Sequence, residues 1–166
     1  MYPSAQQVAE RAGVSLRSVF RHFQNLEALV ATAAAAYYDR HTTVYSPPRP
    51  AAGASLDERI EAMVEYRLAM YPVTATVSRA AVARAQRDPQ LAEIVLGSRR
   101  RAIKAIEVLF APELAACPAA DRAAMVAALH TATLFETWDN LATLHGLERH
   151  QLASVLRRFL RAALDA

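Results

Sequence analysis

The residues near the start of the chain contain the pattern that most limits its fold, two short helical stretches separated by a tight turn. Apolar residues recur at helical spacing within positions 8–12, and Ser4 precedes them as a candidate cap. Gly13 stands where this first helix must end and the chain must bend. Ser15 can then cap a second helix. Because so short a turn makes the two helices pack against each other, the segment predicts a helix-turn-helix.

The second of these helices is predicted to separate apolar from basic side chains. Val19, Phe20 and Phe23 are placed inward, and the outward side is basic. A helix of this size and charge can enter the major groove of DNA, where residues near its N-terminus reach the base edges. Arg17 is therefore predicted to read a base and Arg21 to contact phosphate, with a solvated basic face as the alternative. The predicted DNA contacts are Gln6, Ser15, Leu16, Arg17, Ser18, Phe20, Arg21 and His22.

The same segment contains residues in a specific order, namely Val8, Ala9, Ala12, Gly13, Val14, Ser15, Phe20, His22, Phe23, Glu27 and Leu29. This order resembles the TetR family of bacterial transcriptional regulators. Residues 135–147, FETWDNLATLHGL, are similar to the penultimate helix and following turn of many such regulators. The resemblance implies that the head binds DNA, and that the body dimerises and holds a small-molecule effector. Effector binding would shift the spacing of two DNA-binding heads.

The sequence departs from the family's pattern in three ways. Phe20 stands where the family usually has tyrosine, and Leu26 where it often has lysine; both family residues contact phosphate. The family also has a helix before the position of Ser4, which would cover Val8 and Val19. A truncated chain, a misassigned start and a truly incomplete head all remain open as explanations. An incomplete head would bind DNA poorly.

Clustered prolines divide the chain into two predicted domains. The three prolines within positions 47–50 cannot lie inside a helix. Residues 1–45 are therefore predicted to form the helix-turn-helix head with its connecting helix. Residues 55–166 are predicted to form the C-terminal domain for ligand binding and dimerisation. Because no strand-like alternation or internal repeat is present, the predicted fold is all-α with a helical bundle as its body.

Local signals place the helices of the C-terminal domain. Ser55 and Glu58 can form a capping box that opens its first helix, and Pro72 is predicted to end that helix. One uninterrupted helix is predicted over residues 120–144 and a last one over residues 148–164.

Polar groups beside apolar rows in this domain predict a small-molecule site, because the core of a helical bundle is a usual place for one. Arg67 and His130 are the most telling candidates, since buried polar groups need partners. Glu136 or a ligand could be that partner. For most of the other residues, ordinary core packing is the alternative. The predicted ligand contacts are Met63, Tyr66, Arg67, Met70, Phe110, His130, Phe135 and Trp138.

The last helix carries an apolar stripe that is predicted to form a surface between two copies of the chain. A two-fold dimer would supply the paired heads that a palindromic operator requires. The same stripe could instead serve the core of a single chain. The predicted dimer contacts are Leu152, Val155, Leu156, Phe159 and Leu160.

Composition narrows the class of protein further. The formal net charge of +3 permits binding to a polyanion without requiring it. The single cysteine excludes an internal disulfide, and the chain shows neither a membrane-spanning run nor a signal peptide, so a cytoplasmic protein without a membrane partner is predicted. The histidines lack metalloprotease spacing, and no nucleophile-elbow or phosphate-loop motif is present. We therefore predict no enzyme activity, catalytic residue, metal or cofactor.

Together these observations predict a TetR-like regulator, a homodimeric repressor that a small-molecule effector releases from operator double-stranded DNA. The alternative from another class is a dimeric module for ligand binding or protein interaction, whose incomplete head does not function in DNA binding. The retained basic side chains Arg17, Arg21 and His22 favour the first interpretation, and Phe20 and Leu26 favour the second.

Overall fold

The regular structure of this chain is α-helical, in agreement with the predicted all-α class. The computed structural model describes residues 4–40, 46–49 and 51–165, and no strand occurs in these ranges. Their helices, in chain order, are α1 (Ala5–Ala12), α2 (Leu16–His22), α3 (Leu26–Arg40), α4 (Leu56–Ala85), α5 (Pro89–Leu109), α6 (Ala111–Ala116), α7 (Arg122–Ala132), α8 (Phe135–Thr143) and α9 (Arg149–Leu164).

The chain divides into two compact units. Unit 1 contains the described residues of Met1–Thr42 together with Val77–Gly97, and unit 2 contains those of Thr43–Thr76 and Ser98–Ala166. This division differs from the predicted boundary between residues 45 and 55. The C-terminal part of α4 and the N-terminal part of α5 lie with the first residues of the chain.

Helices α1 and α2 form the start of unit 1, and local hydrogen bonds define their ends. The Ser4 hydroxyl accepts from the backbone N–H of Gln7 at 3.2 Å, and the Gln7 side chain accepts from the N–H of Ser4 at 2.8 Å. Gly13 adopts φ +67°, a left-handed conformation that suits glycine at a helix end. The Ser15 hydroxyl caps α2 by accepting from the N–H of Ser18 at 3.1 Å. These caps confirm the predicted helix boundaries.

A small apolar cluster holds the rest of unit 1 together. Ala34 of α3, Ala81 of α4 and Leu91 of α5 are buried against one another. Arg84 donates to Glu27 at 2.7 Å, which joins α4 to α3 by an ion pair. These contacts across distant parts of the sequence explain why Val77–Gly97 belongs to unit 1.

The core of unit 2 contains the apolar rows of α4, packed against α5, α7, α8 and α9. Its fully buried side chains include Ile60, Met63, Val64, Ile106, Leu109, Phe110, Leu129, Leu156 and Leu160.

A line of ion pairs beside this core joins α4 to α9. Arg157 donates through two nitrogens to the two oxygens of Glu61, each at 2.7 Å. Arg161 donates to Asp57 at 2.7 Å, one turn further along α9. Because the Arg157 contact is bidentate, it also fixes how the two helices are aligned along their length.

The prediction that Pro72 ends its helix is wrong, because α4 continues through Pro72 to Ala85. Proline has no N–H, so the carbonyl of Leu68, four residues earlier, loses its partner within the helix. Arg149 of α9 donates to that carbonyl at 3.0 Å and to Glu65 at 2.6 Å. A distant side chain thus supplies the hydrogen bond that proline removes.

The helix predicted over residues 120–144 is interrupted, and this prediction is also wrong. Helix α7 ends at Ala132, Leu134 is extended, and α8 begins at Phe135. The Thr133 hydroxyl donates to the carbonyl of Leu129 at 2.9 Å, and Tyr71 donates its hydroxyl to the carbonyl of Thr133. Tyr71 thus satisfies a carbonyl that has no partner in the helical ladder, and the Thr133 hydroxyl shares the Leu129 carbonyl with its own backbone N–H, which together favour the break. The short helix α6 was not predicted either.

Across the described ranges, no helix is both long and apolar enough to cross a bilayer.

Candidate functional site

The outer side of α2 presents basic and apolar side chains together. Arg17, Arg21 and His22 are exposed, and so is Leu16. Phe20 is 47% exposed, which corrects the prediction that it faces inward. Val19 and Phe23 take the inward positions. Each step along a helix rotates the side chain by roughly 100°, so Phe20, one residue after Val19, points away from them.

The two arginines of α2 are not neutralised. Arg17 and Arg21 lie one turn apart, and neither pairs with a carboxylate in the part of the chain that the structure describes. Helix α2 itself contains no acidic residue. Two unpaired cations on one helix create a local positive potential that attracts phosphate groups.

The remaining predicted DNA contacts have local roles. Ser15 and Ser18 are joined through their hydroxyls at 3.0 Å, in addition to the cap that Ser15 makes. Gln6 is exposed on α1 and donates to Glu10 at 2.9 Å. The predicted DNA contacts whose side chains are exposed and available to a partner are therefore Leu16, Arg17, Phe20, Arg21 and His22.

The apolar side of α1 and α2 is largely covered. Val19 is buried, and Val8 and Phe23 are half-buried. The contact between α1 and α2 already removes much of this surface from water.

The predicted ligand residues separate into two groups. Met63, Met70 and Phe110 are buried in the core of unit 2, where they pack as ordinary apolar side chains. The other five predicted residues lie near Tyr71 or near Arg67, and Tyr71 itself is not among the predicted ligand contacts. They are Tyr66, Arg67, His130, Phe135 and Trp138.

Tyr71 is the centre of an aromatic cluster. Its ring centroid lies 5.7 Å from that of Phe135, in edge-to-face orientation, and 5.7 Å from that of Trp138. The Phe135 and Trp138 centroids are 5.9 Å apart. Burial raises the pKa of Tyr71 to about 12, so its hydroxyl stays protonated and donates to the carbonyl of Thr133.

Arg67 is a buried cation in this cluster. Its guanidinium carbon lies 5.2 Å from the centroid of the Tyr66 ring and 5.5 Å from that of Tyr71. Only 5% of the residue is exposed, and its Nε has no hydrogen-bond partner. No carboxylate of the described chain pairs with it.

Two further nitrogens of the cluster have no hydrogen-bond partner, Nε2 of His130 and Nε1 of Trp138. Glu136, the protein partner considered for the buried polar groups, forms its ion pair with Arg99. Burial lowers the pKa of His130, and the charges of Arg67 and Arg99 lower it further, while Glu136 opposes them. His130 is therefore neutral near pH 7.

The last helix uses most of its predicted dimer residues for the core of its own chain. Leu152, Leu156 and Leu160 are buried within unit 2. Val155 is half-buried, and Phe159 is 43% exposed. The core of a single chain, the alternative role of this stripe, thus accounts for the three leucines, and Phe159 is the most exposed of the predicted dimer contacts.

Phe159 instead lies in an apolar groove between α7 and α9, with a volume of about 890 Å³. Small side chains form most of its walls. The exposed alanines of α7 recur at helical spacing, and this sequence signal was missed. The groove residues are Asp121, Ala124, Met125, Ala127, Ala128, Thr131, Ala132, Thr137, Phe159, Ala162 and Ala163.

No group of three or more histidine, cysteine or carboxylate side chains that could hold a metal ion occurs within the described residues. Comparison with protein-family models, with curated proteins and with solved structures finds no match for this chain.

Proposed function

We propose that the protein is a TetR-like transcriptional regulator that binds operator DNA as a homodimer and is released by a small-molecule effector. The observation that carries this proposal is the outer side of α2, where two unpaired arginines stand beside exposed apolar side chains. The order of residues from Val8 to Leu29 supports it independently.

Helix α2 would read the major groove. Arg17 lies in its first turn, the part of a recognition helix that reaches base edges, and a guanidinium can donate two hydrogen bonds to guanine. Leu16 and Phe20 can contact thymine methyl groups. Arg21 and His22, in the last turn, would contact phosphate and so contribute affinity without sequence choice.

A second copy of the chain is the partner proposed for the groove between α7 and α9. Small exposed side chains let two helices approach closely, and Phe159 supplies a large side chain to fill the space between them. In a two-fold arrangement, each Phe159 would pack against the partner's alanines. Such a dimer provides the two heads that a palindromic operator needs.

The cluster around Tyr71 is the proposed effector site. It combines aromatic rings with buried nitrogens that have no protein partner. An effector would change DNA affinity only if it binds one conformation of the protein better than another.

The test is a selection from a random double-stranded DNA library, followed by titration of the selected duplex at several salt concentrations. Arg17→Ala is expected to weaken binding roughly tenfold to a hundredfold and to relax base choice at one position. Arg21→Ala is expected to weaken all sequences alike and to reduce the salt dependence.

Arg158→Ala is the matched control, because it removes the same charge from an exposed position of α9. Equal affinities of the Arg17→Ala and Arg158→Ala proteins would contradict the proposal.

The second candidate function is a ligand-binding or interaction module whose head contacts protein instead. The exposed Leu16 and Phe20 favour this second function. If the protein shows no salt-dependent DNA binding, it becomes the preferred function.

A further inference from the structure

Two buried arginines of the same helix have opposite surroundings. Arg59 and Arg67 both lie on α4, and they are 8% and 5% exposed. Arg59 donates to the carboxylate of Glu113 and to the carbonyl of Ala54. Arg67 has two tyrosine rings beside it and no anion of the described chain. The fold thus neutralises one of these cations and leaves the other without a counter-charge.

An unpaired buried cation is costly, because the ring faces replace only part of the hydration that it loses. The nearby carboxylate of Glu136 offsets only part of this cost, since it pairs with Arg99 and not with Arg67. Nε1 of Trp138 and Nε2 of His130 are also buried without a partner. Several polar groups in one cluster therefore lack the hydrogen bonds that an oxygen acceptor of a bound ligand would provide.

We propose that the ligand of this cluster is a small organic acid whose single carboxylate pairs with Arg67 and whose apolar part lies against Tyr71, Phe135 and Trp138. This inference deepens the proposed function and rests on its effector-binding part. A planar guanidinium matches a carboxylate in a two-pronged hydrogen bond, and Trp138 Nε1 can donate to the same group. The cluster reaches the surface of unit 2, because three of its residues, Tyr66, His130 and Phe135, are only half-buried.

The charge balance favours a monoanion. Arg67 contributes one positive charge, and His130 contributes none near pH 7 because burial and neighbouring cations lower its pKa. Arg99 is already paired with Glu136. A phosphate monoester, which carries up to two negative charges, would therefore meet one free cation instead of two.

The experiment compares acids with their uncharged amides on the purified full-length protein. Benzoate, 2-naphthoate and octanoate are titrated beside benzamide, 2-naphthamide and octanamide, by calorimetry and by the emission of Trp138, the single tryptophan of the chain. At least one acid is expected to bind roughly ten- to a hundredfold more tightly than its amide, because the amide cannot form the charged pair. Arg67→Met is expected to remove this preference.

Thermal unfolding of unliganded variants separates a ligand site from a structural cation. Arg67→Met keeps an apolar side chain of similar length, and it is expected to melt no lower than the wild type because it removes an unpaired charge. Arg59→Met is the matched control and is expected to melt lower, since it leaves the half-buried carboxylate of Glu113 unpaired.

The proposal is overturned if none of the three acids binds, if acids and amides bind equally, or if Arg67→Met lowers the melting temperature as much as Arg59→Met. DNA binding is measured separately. A protein that binds its selected duplex but no acid retains the DNA-binding part of the proposed function, and a protein that binds acids but no DNA retains the ligand class.

Discussion

At the scale of single residues, Tyr71 links three features of unit 2 that lie far apart in the sequence. Its ring packs against those of Phe135 and Trp138, its face lies near Arg67, and its hydroxyl donates to the carbonyl of Thr133 where α7 ends. One side chain thus joins the aromatic rings, the buried cation and the end of α7.

The neutral state of His130 gives unit 2 a defined dependence on pH. Its pKa in the folded protein is lowered, so the unfolded chain takes up the proton first as the pH falls. The contribution of His130 to the free energy of unfolding is therefore complete above its ordinary pKa of about 6.5. It is lost as the pH falls from there towards the pKa of the folded protein. The slope from this group cannot exceed about 1.4 kcal/mol per pH unit.

His130→Asn is expected to flatten this slope between pH 7 and pH 5, as measured by denaturant unfolding followed through Trp138 emission. His150→Asn is the control, because His150 is exposed beside Glu148, with 3.6 Å between their nearest nitrogen and oxygen. If the His130→Asn protein keeps the wild-type slope, another group is responsible for the pH dependence.

Residues whose partners are close in sequence could be predicted, and those with distant partners could not. The caps at Ser4, Ser15 and Ser55 act within three residues, so local spacing predicts them and the structure confirms them. Arg67 was identified as a polar group in an apolar row. Tyr71 was not, because its role depends on Thr133, 62 residues later.

At the scale of helices, the centre of α4 shows how tertiary contacts overrule a local signal. Proline ordinarily ends or kinks a helix by removing one hydrogen bond and crowding the preceding turn. Here Pro72 is exposed, so its ring lies on the outer side of α4, and Arg149 replaces the missing donor at Leu68. Sequence alone could not predict this continuity, because the compensating residue belongs to another helix.

A double-mutant cycle tests whether Arg149 compensates for Pro72. Arg149→Met is expected to destabilise the protein by about 1–3 kcal/mol, since it leaves a buried carbonyl without a donor. In the Pro72→Ala background, the new N–H can serve Leu68, so the same substitution is expected to cost less. The measurement is chemical denaturation of the four proteins, with Arg161→Met as a control that breaks another α4–α9 ion pair. A coupling energy near zero would show that Arg149 acts independently of Pro72.

The break between α7 and α8 was missed for a related reason. The sequence around Thr133 contains no glycine or proline, so periodicity alone favours one long helix. The hydroxyls of Thr133 and Tyr71 instead bind backbone carbonyls near the break. Since this break begins α8 at Phe135, it also sets where the aromatic cluster lies.

At the scale of the whole molecule, assembly depends on which apolar surface unit 2 leaves open. The leucines of α9 are used in the core, so the proposed contact between two copies moves to the groove that contains Phe159. The sequence pattern did not separate the leucines of α9 that face the core from Phe159, which is 43% exposed.

If the proposed dimer forms through this groove, Phe159→Glu is expected to convert it to a monomer, with the measured mass falling from twice 18.2 kDa to 18.2 kDa. The loss of association energy is expected to be about 3 kcal/mol or more, because two-fold symmetry introduces the buried charge twice. Light scattering behind size-exclusion chromatography measures the mass, and circular dichroism checks the fold. Leu144→Glu changes a side chain that is 73% exposed and lies outside the groove, so this protein should stay dimeric. A wild-type protein that is already monomeric at high concentration would exclude this interface.

The contacts between α4 and α9 also concern the order in which the chain is made. Arg149 reaches Leu68 across 81 residues, and the pairs of Glu61 with Arg157 and Asp57 with Arg161 span 96 and 104. Because α4 is made before α9, the carbonyl freed by Pro72 cannot accept from Arg149 until α9 has been added to the chain. The contacts that fasten α4 in unit 2 therefore form only after α9 has been made, so the core of this unit is completed late in its synthesis.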